Sequence, residues 1–174
     1  MKKGIVVFLV FLTVLTMAAC GGPGAVPGPE ADGPVGEEAA LERIAVSPPE
    51  GWEAYDTVGM LYSYRKGAAA FLMKEEAYFT VDSLDMVVRK AQDILTGAFD
   101  NVEYEGEPAA VTVGGLDASR FYFTCDSGGL TMKYEYVYFI AGGDIYAVIF
   151  SDLGDSFDAN AADFDAILDS IVIS

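Results

Sequence analysis

Three hydrophobic periodicities divide this 174-residue chain. From Gly4 to Cys20 the apolar run is continuous, 17 residues without a charge. From Leu116 to Asp152 apolar and polar positions alternate, which is the period-two signature of half-buried strands. Over two further stretches apolar residues recur three and four apart, the spacing of one helix face. In the first of these, Leu84, Val87, Val88, Ala91, Ile94 and Leu95 predict a helix capped by Thr80 or Asp82 and ending near Gly97. In the second, Ala161, Phe164, Ile167, Leu168 and Ile171 predict a helix from about Asp155 or Ser156 to Ile171.

Turn residues divide the rest. Ile44 to Ser47 reads as a short strand stopped by Pro48-Pro49-Glu50-Gly51-Trp52, and Met60–Arg65 with Ala68–Lys74 reads as a hairpin around Lys66-Gly67. In the alternating region, a two-residue turn at Ser127-Gly128 would pair residues whose numbers sum to 255. One face then carries Phe121, Phe123, Cys125, Leu130, Met132, Tyr134, Tyr136 and Tyr138. The other opposes Thr124 to Thr131, Tyr122 to Lys133 and Arg120 to Glu135. After Gly142-Gly143 the first face gains Ile140, Ile145, Ala147 and Ile149. The second also turns apolar, with Val137, Phe139, Tyr146, Val148 and Phe150. A meander apolar on both faces needs cover on both, and two amphipathic helices can supply it. The expected fold class is α+β, a single α/β/α sandwich with a mainly antiparallel sheet flanked by helices.

The continuous run has a different fate. Lys2 and Lys3 precede it and Ala18-Ala19 close it before Cys20, the layout of a secretory signal. Leu15-Thr16-Met17-Ala18-Ala19-Cys20 resembles the lipobox of bacterial lipoproteins, which implies a signal peptide over residues 1–19 and lipidation of Cys20. Two or more acyl chains suffice for stable membrane anchoring. The competing reading is an uncleaved membrane span, for which 17 residues is at the lower limit. From Cys20 to Gly36 six glycines and four prolines allow no core, so residues 20–43 read as a flexible tether and 44–174 as the folded domain.

Composition removes several function classes. Ten basic and 27 acidic residues give a net charge of −17, and loss of residues 1–19 would take it to −19. That charge repels nucleic acid, which is excluded as a partner. The chain has no histidine, so imidazole ligands and bases are absent. Of its two cysteines, Cys125 is left without an intramolecular partner if Cys20 is lipidated.

The strand before Pro49-Glu50-Gly51-Trp52, the helix from about Ser83, Gly114-Gly115-Leu116-Asp117-Ala118 leading into Arg120-Phe121-Tyr122, and the closing Phe164-Asp165-Ala166-Ile167-Leu168-Asp169-Ser170-Ile171 together resemble the PsbP-like fold, including DcrB-like bacterial lipoproteins. The resemblance covers about Ile44 to Ser174. It implies an α/β/α sandwich and a non-enzymatic accessory or binding role at a membrane.

Candidate chemistry is sparse. Ser63-Tyr64-Arg65-Lys66 matches the S-x-x-K pattern, but on a strand it sets Ser63 and Lys66 on opposite faces. Asp152, Asp155, Asp158, Asp163, Asp165 and Asp169, with Asn160 among them, form an acidic end without the loop of a calcium-binding EF-hand, and read as a solvated helix face, with weak surface cation binding as the alternative. Cys125 alternates onto an apolar face and reads as a buried thiol. No metal or cofactor is expected. The row Val137, Phe139, Tyr146, Val148 and Phe150 is the candidate ligand or partner surface, provided it is incompletely covered. The expected function is a lipid-anchored, extracytoplasmic, non-enzymatic module with an envelope protein partner. The alternative is a small-ligand or cation receptor delivering to a membrane complex.

Overall fold

The computed structural model describes residues 43–77 and 83–174. Cys20, the segment before it and nearly all of the tether lie outside them, as do Thr80 and Asp82. The strands are β1 (Ile44–Ala45), β2 (Glu53–Ala54), β3 (Tyr62–Lys66), β4 (Ala69–Glu75), β5 (Asp100–Tyr104), β6 (Ala109–Val113), β7 (Leu116–Ser127), β8 (Leu130–Ala141), β9 (Asp144–Leu153) and β10 (Val172–Ile173). Among the described residues the helices are α1 (Leu84–Ala98), α2 (Gly154–Phe157) and α3 (Ala161–Asp169), with a 3₁₀ turn over Asp158–Asn160.

Eight strands form one sheet in the order β2-β3-β4-β9-β8-β7-β5, with β6 also paired to β7. All of its pairs are antiparallel. The α+β sandwich expected from the sequence is therefore present, with β1 and β10 adding a separate two-stranded ribbon. The expected β7–β8 register shifts by two residues. Ser127 pairs with Leu130, and residue numbers sum to 257, because the turn is Gly128-Gly129. Both of its residues have positive φ, +62° and +86°, which a two-residue hairpin turn demands and Ser127 would adopt only under strain. A two-residue shift preserves which face each side chain takes, whereas a one-residue slip would exchange them.

Each face has its own core. On one, Val87, Val88, Ala91 and Leu95 of α1 cover Phe121, Phe123, Cys125, Tyr136, Tyr138, Ile145, Ala147 and Ile149. Ser83 caps α1, its Oγ accepting the Met86 N–H at 3.4 Å, and the helix runs past Gly97 to Ala98. Ile94, expected on the buried stripe, is 54% exposed, and Leu130 at the hairpin end is 57% exposed.

On the other face the C-terminal helix is broken where one helix was expected. The 3₁₀ turn tightens the winding ahead of α3, so Phe157 enters the core with Phe164, Ile167 and Leu168 while Ala161 faces solvent. Asp152 stabilises this corner, accepting from Asn160 Nδ2 at 2.8 Å and from the Leu153 N–H at 2.7 Å. The candidate row Val137, Phe139, Tyr146, Val148 and Phe150 lies beneath these elements, each side chain 0% exposed. It does not form an open groove, because α3, Phe157, Ile171 and Ile44 complete its cover.

Candidate functional site

The face that buries this row continues into a polar half. Arg120 and Tyr122 on β7 alternate with core residues Phe121 and Phe123, and on β8 Lys133 and Glu135 stand in line with Val137. Tyr122 is directly opposite Glu135, and Thr124 opposite Lys133. Beyond the reach of α3's apolar side chains these residues form the floor of a cleft of about 270 Å³. Its rim is Glu105, Phe157, Asp158, Ala161 and Asp165.

Glu135 is the unusual member. Its side chain is only 4% exposed, yet it is a carboxyl group beside a full apolar core. Burial pushes its pKa up to about 7. The Arg120 guanidinium opposes that rise, Asp165 adds to it, and the Tyr122 hydroxyl favours the charged form by hydrogen bonding. Arg120 Nη1 is 3.4 Å from Glu135 Oε1 and 3.3 Å from Asp165 Oδ1, both long for ion-paired hydrogen bonds. Its Nε is buried with no hydrogen-bond partner.

Lys133 completes the charge pattern. Its Nζ lies 3.0 Å from Glu105 and 3.2 Å from Asp158, and sits over the rings of Tyr122 and Phe157 at 5.8 and 5.2 Å. Burial acts against its charge, but the two carboxylates raise its pKa above the ordinary lysine value. Burial first, and then Glu135, push the Tyr122 phenol up to about 12. Four acids thus face two cations across two aromatic rings, a surface suited to holding a polar or cationic group.

The other sequence candidates separate from one another. Lys66 Nζ is bound to Asp163 at 2.6 Å, while Ser63 is buried on the opposite side of β3. Four of the six acidic residues of the C-terminal region have separate partners: Asp152 with Asn160, Asp158 with Lys133, Asp163 with Lys66 and Trp52, and Asp165 with Arg120. Asp152 is not on a solvated helix face as expected but is buried near the end of β9. Among the described residues no three acidic or cysteine side chains are grouped to hold a metal ion. Cys125 is buried on the α1 face, and burial followed by Asp126 raises its thiol pKa.

Known proteins agree with this architecture. A solution structure of cyanobacterial PsbP from Synechocystis sp. PCC 6803 matches with a TM-score of 0.55 at 14% identity, over 91% of this chain and 99% of that one. The fold is PsbP-like. LpqN of Mycobacterium tuberculosis, described as involved in cell envelope biogenesis, matches with a TM-score of 0.57 at 14% identity over 75% of this chain and 83% of that one. A Pseudomonas aeruginosa protein of unknown function matches with a TM-score of 0.52 at 7% identity, over 71% and 77% of the two chains. No protein-family model and no curated protein matches the sequence.

Proposed function

We propose that this chain is a lipoprotein, anchored through Cys20 to the extracytoplasmic face of a cell membrane, whose PsbP-like domain is a non-enzymatic accessory module of the cell envelope. The observation that carries this reading is the run Leu15-Thr16-Met17-Ala18-Ala19-Cys20, which closes an uncharged stretch after Lys2-Lys3 and opens onto a glycine- and proline-rich segment. The similarity in fold to an envelope protein supports the setting. The cleft around Arg120 and Glu135 supports a recognition role, since it sets four acidic and two basic side chains beside two aromatic rings. The test is expression in a bacterial host with labelled palmitate. The wild type is expected to take up label and fractionate with membranes, and Cys20→Ser to lose both. A Cys20→Ser protein that stays membrane-bound and is cut at the same place refutes the anchor.

A second reading, a receptor for a small cationic ligand, is favoured by the four carboxylates facing two cations in the cleft. Calorimetric titration with calcium and with a short polyamine separates the two. Saturable heat abolished by Asp158→Asn favours the receptor, and its absence favours the accessory module.

A further inference from the structure

The sheet has two edges, and one stretch of one edge lacks the features that keep strand edges from pairing. Beyond β7 the edge consists of β5, a break at residues 105–108, and β6. The β5 half is protected. Its register with β7 shifts between Asp100 and Glu103, Asn101 has a φ of +55°, and acidic residues recur at Asp100, Glu103, Glu105 and Glu107. At the opposite edge β2 is two residues long, and β3 ends in Arg65 and Lys66. The β6 half, Ala109-Ala110-Val111-Thr112-Val113, has neither charge nor bulge.

The β6–β7 hairpin fixes which β6 groups face outward. Gly114-Gly115 is the turn, with φ of +56° and +82°, and Val113–Leu116 is its closing pair. The closing pair of a two-residue turn is hydrogen bonded, and bonded pairs alternate along the ladder. Val113, Val111 and Ala109 therefore bond inward to β7. Ala110 and Thr112, both exposed, direct their N–H and C=O groups away from the sheet.

A cavity of about 250 Å³ lies beside this edge, between α1 and the start of β6. Its lining includes Asp85, Arg89 and Gln92 of α1, with Glu107, Pro108 and Ser119. Ser119 is the partner of Ala110 in the ladder, so the cavity is on the face toward which Ala110 and Thr112 point their side chains. An edge strand next to a helix, with a cavity between them, is the arrangement that recognises an extended peptide: backbone pairing supplies affinity and side-chain pockets supply specificity.

We propose that β6 and α1 form a docking groove for an extended segment of a partner protein, which adds as an antiparallel strand to Ala110 and Thr112 and places a lysine or arginine between Asp85 and Glu107. Charge selects this occupant. Two carboxylates face one Arg89 in the cavity, and the chain as a whole carries −17, which favours a basic segment and opposes a second copy of the same acidic domain. The groove lies on the opposite face of the sheet from the Arg120–Glu135 cleft. It goes beyond the proposed accessory role, and its test is independent of lipidation.

The probe is a short fluorescent peptide of alternating valine and threonine with one central lysine, titrated onto the full chain by fluorescence anisotropy. Saturable binding with a Kd below about 1 mM is expected. Ala110→Pro removes one outward donor at an edge position where proline is tolerated, and is expected to weaken binding about tenfold or more. The same loss is expected for a peptide N-methylated on its pairing face, which needs no change in the protein, and for glutamate in place of lysine. Amide hydrogen exchange at Ala110 and Thr112 is expected to slow on binding. Absence of saturable binding to 1 mM, or binding indifferent to both Ala110→Pro and N-methylation, overturns the proposal. Self-association that Ala110→Pro abolishes overturns it too, since the edge would then belong to a second copy.

Discussion

Replacing Glu135 by glutamine removes the ionisable proton from the cleft floor while keeping the side chain's size. In the folded protein the Glu135 carboxyl has a pKa of about 7, raised from an ordinary 4.5. Between those two values the folded chain retains a proton that the unfolded chain has lost. This contribution to stability is therefore intact below pH 4.5 and disappears as pH rises through 7. At about 1.4 kcal/mol per pH unit, the wild type loses about 3 kcal/mol between pH 4 and pH 8.5 from this group alone. Glu135→Gln has no such proton to lose. Other carboxylates titrate alike in both proteins, so the difference between their unfolding free energies isolates the effect. Near pH 5 the two are expected to agree within about 1 kcal/mol, since a neutral amide replaces a neutral acid and the Arg120 contact is long. By pH 8.5 the variant should be the more stable by about 2 to 3 kcal/mol. Urea unfolding followed by the fluorescence of Trp52, the only tryptophan and a core residue, reads this directly. If the two stability curves run parallel from pH 4 to 8.5, Glu135 titrates alike in the folded and unfolded chains, and burial does not raise its pKa.

Other substitutions probe neighbouring contacts. Asp163→Ala removes the acceptor of both Lys66 Nζ and Trp52 Nε1, and should cost about 1 to 2 kcal/mol at pH 7 in urea unfolding. The Lys66 hydrogen bond, with that of Trp52, holds the Asp163 pKa below the usual carboxylate range, so the cost should fade as pH drops through the depressed value. A new Cβ in Gly114→Ala would lie 2.8 Å from Ile173 Cγ1 and Cδ1 and 3.3 Å from the Ile171 carbonyl, on a residue with φ of +56°. Thermal unfolding should show a loss of about 2 to 3 kcal/mol, against about 1 kcal/mol for Gly115→Ala, where the space is open. In a Cys20→Ser protein the remaining thiol, Cys125, should react with a thiol reagent only on the timescale of unfolding; rapid stoichiometric labelling of the native protein would contradict its burial.

The two faces of the meander were legible because parity is robust. Phe121, Phe123, Tyr136 and Tyr138 separate from Val137, Phe139 and Phe150 in any register that differs by an even number of residues. The register itself was not, because Ser127-Gly128 and Gly128-Gly129 are both plausible turns and only backbone geometry selects the second. Strand β5 escaped notice since its bulge interrupts alternation, and β6 since it is brief and mostly exposed. The row proposed as a partner surface is fully buried, and the cleft on the same face lies further along the strands. Alternation shows which side chains share a face but not how far a helix covers it, so the apolar half read as a groove is closed and the polar half is the cleft. The Arg120–Glu135 and Tyr122–Lys133 pairs anticipated as direct cross-strand neighbours do meet, diagonally, as an ion pair and a cation–π contact. Glu105, Phe157, Asp158 and Asp165 join them through tertiary packing, which leaves no periodic trace.

Mass spectrometry of the N-terminal peptide from membrane-extracted protein tests the membrane-anchor account at its source. Lipid anchoring at Cys20 requires a chain that begins at that residue with a diacylglyceryl thioether on its sulfur. A peptide retaining residues 1–19, or one beginning with an unmodified Cys20 thiol, would contradict it.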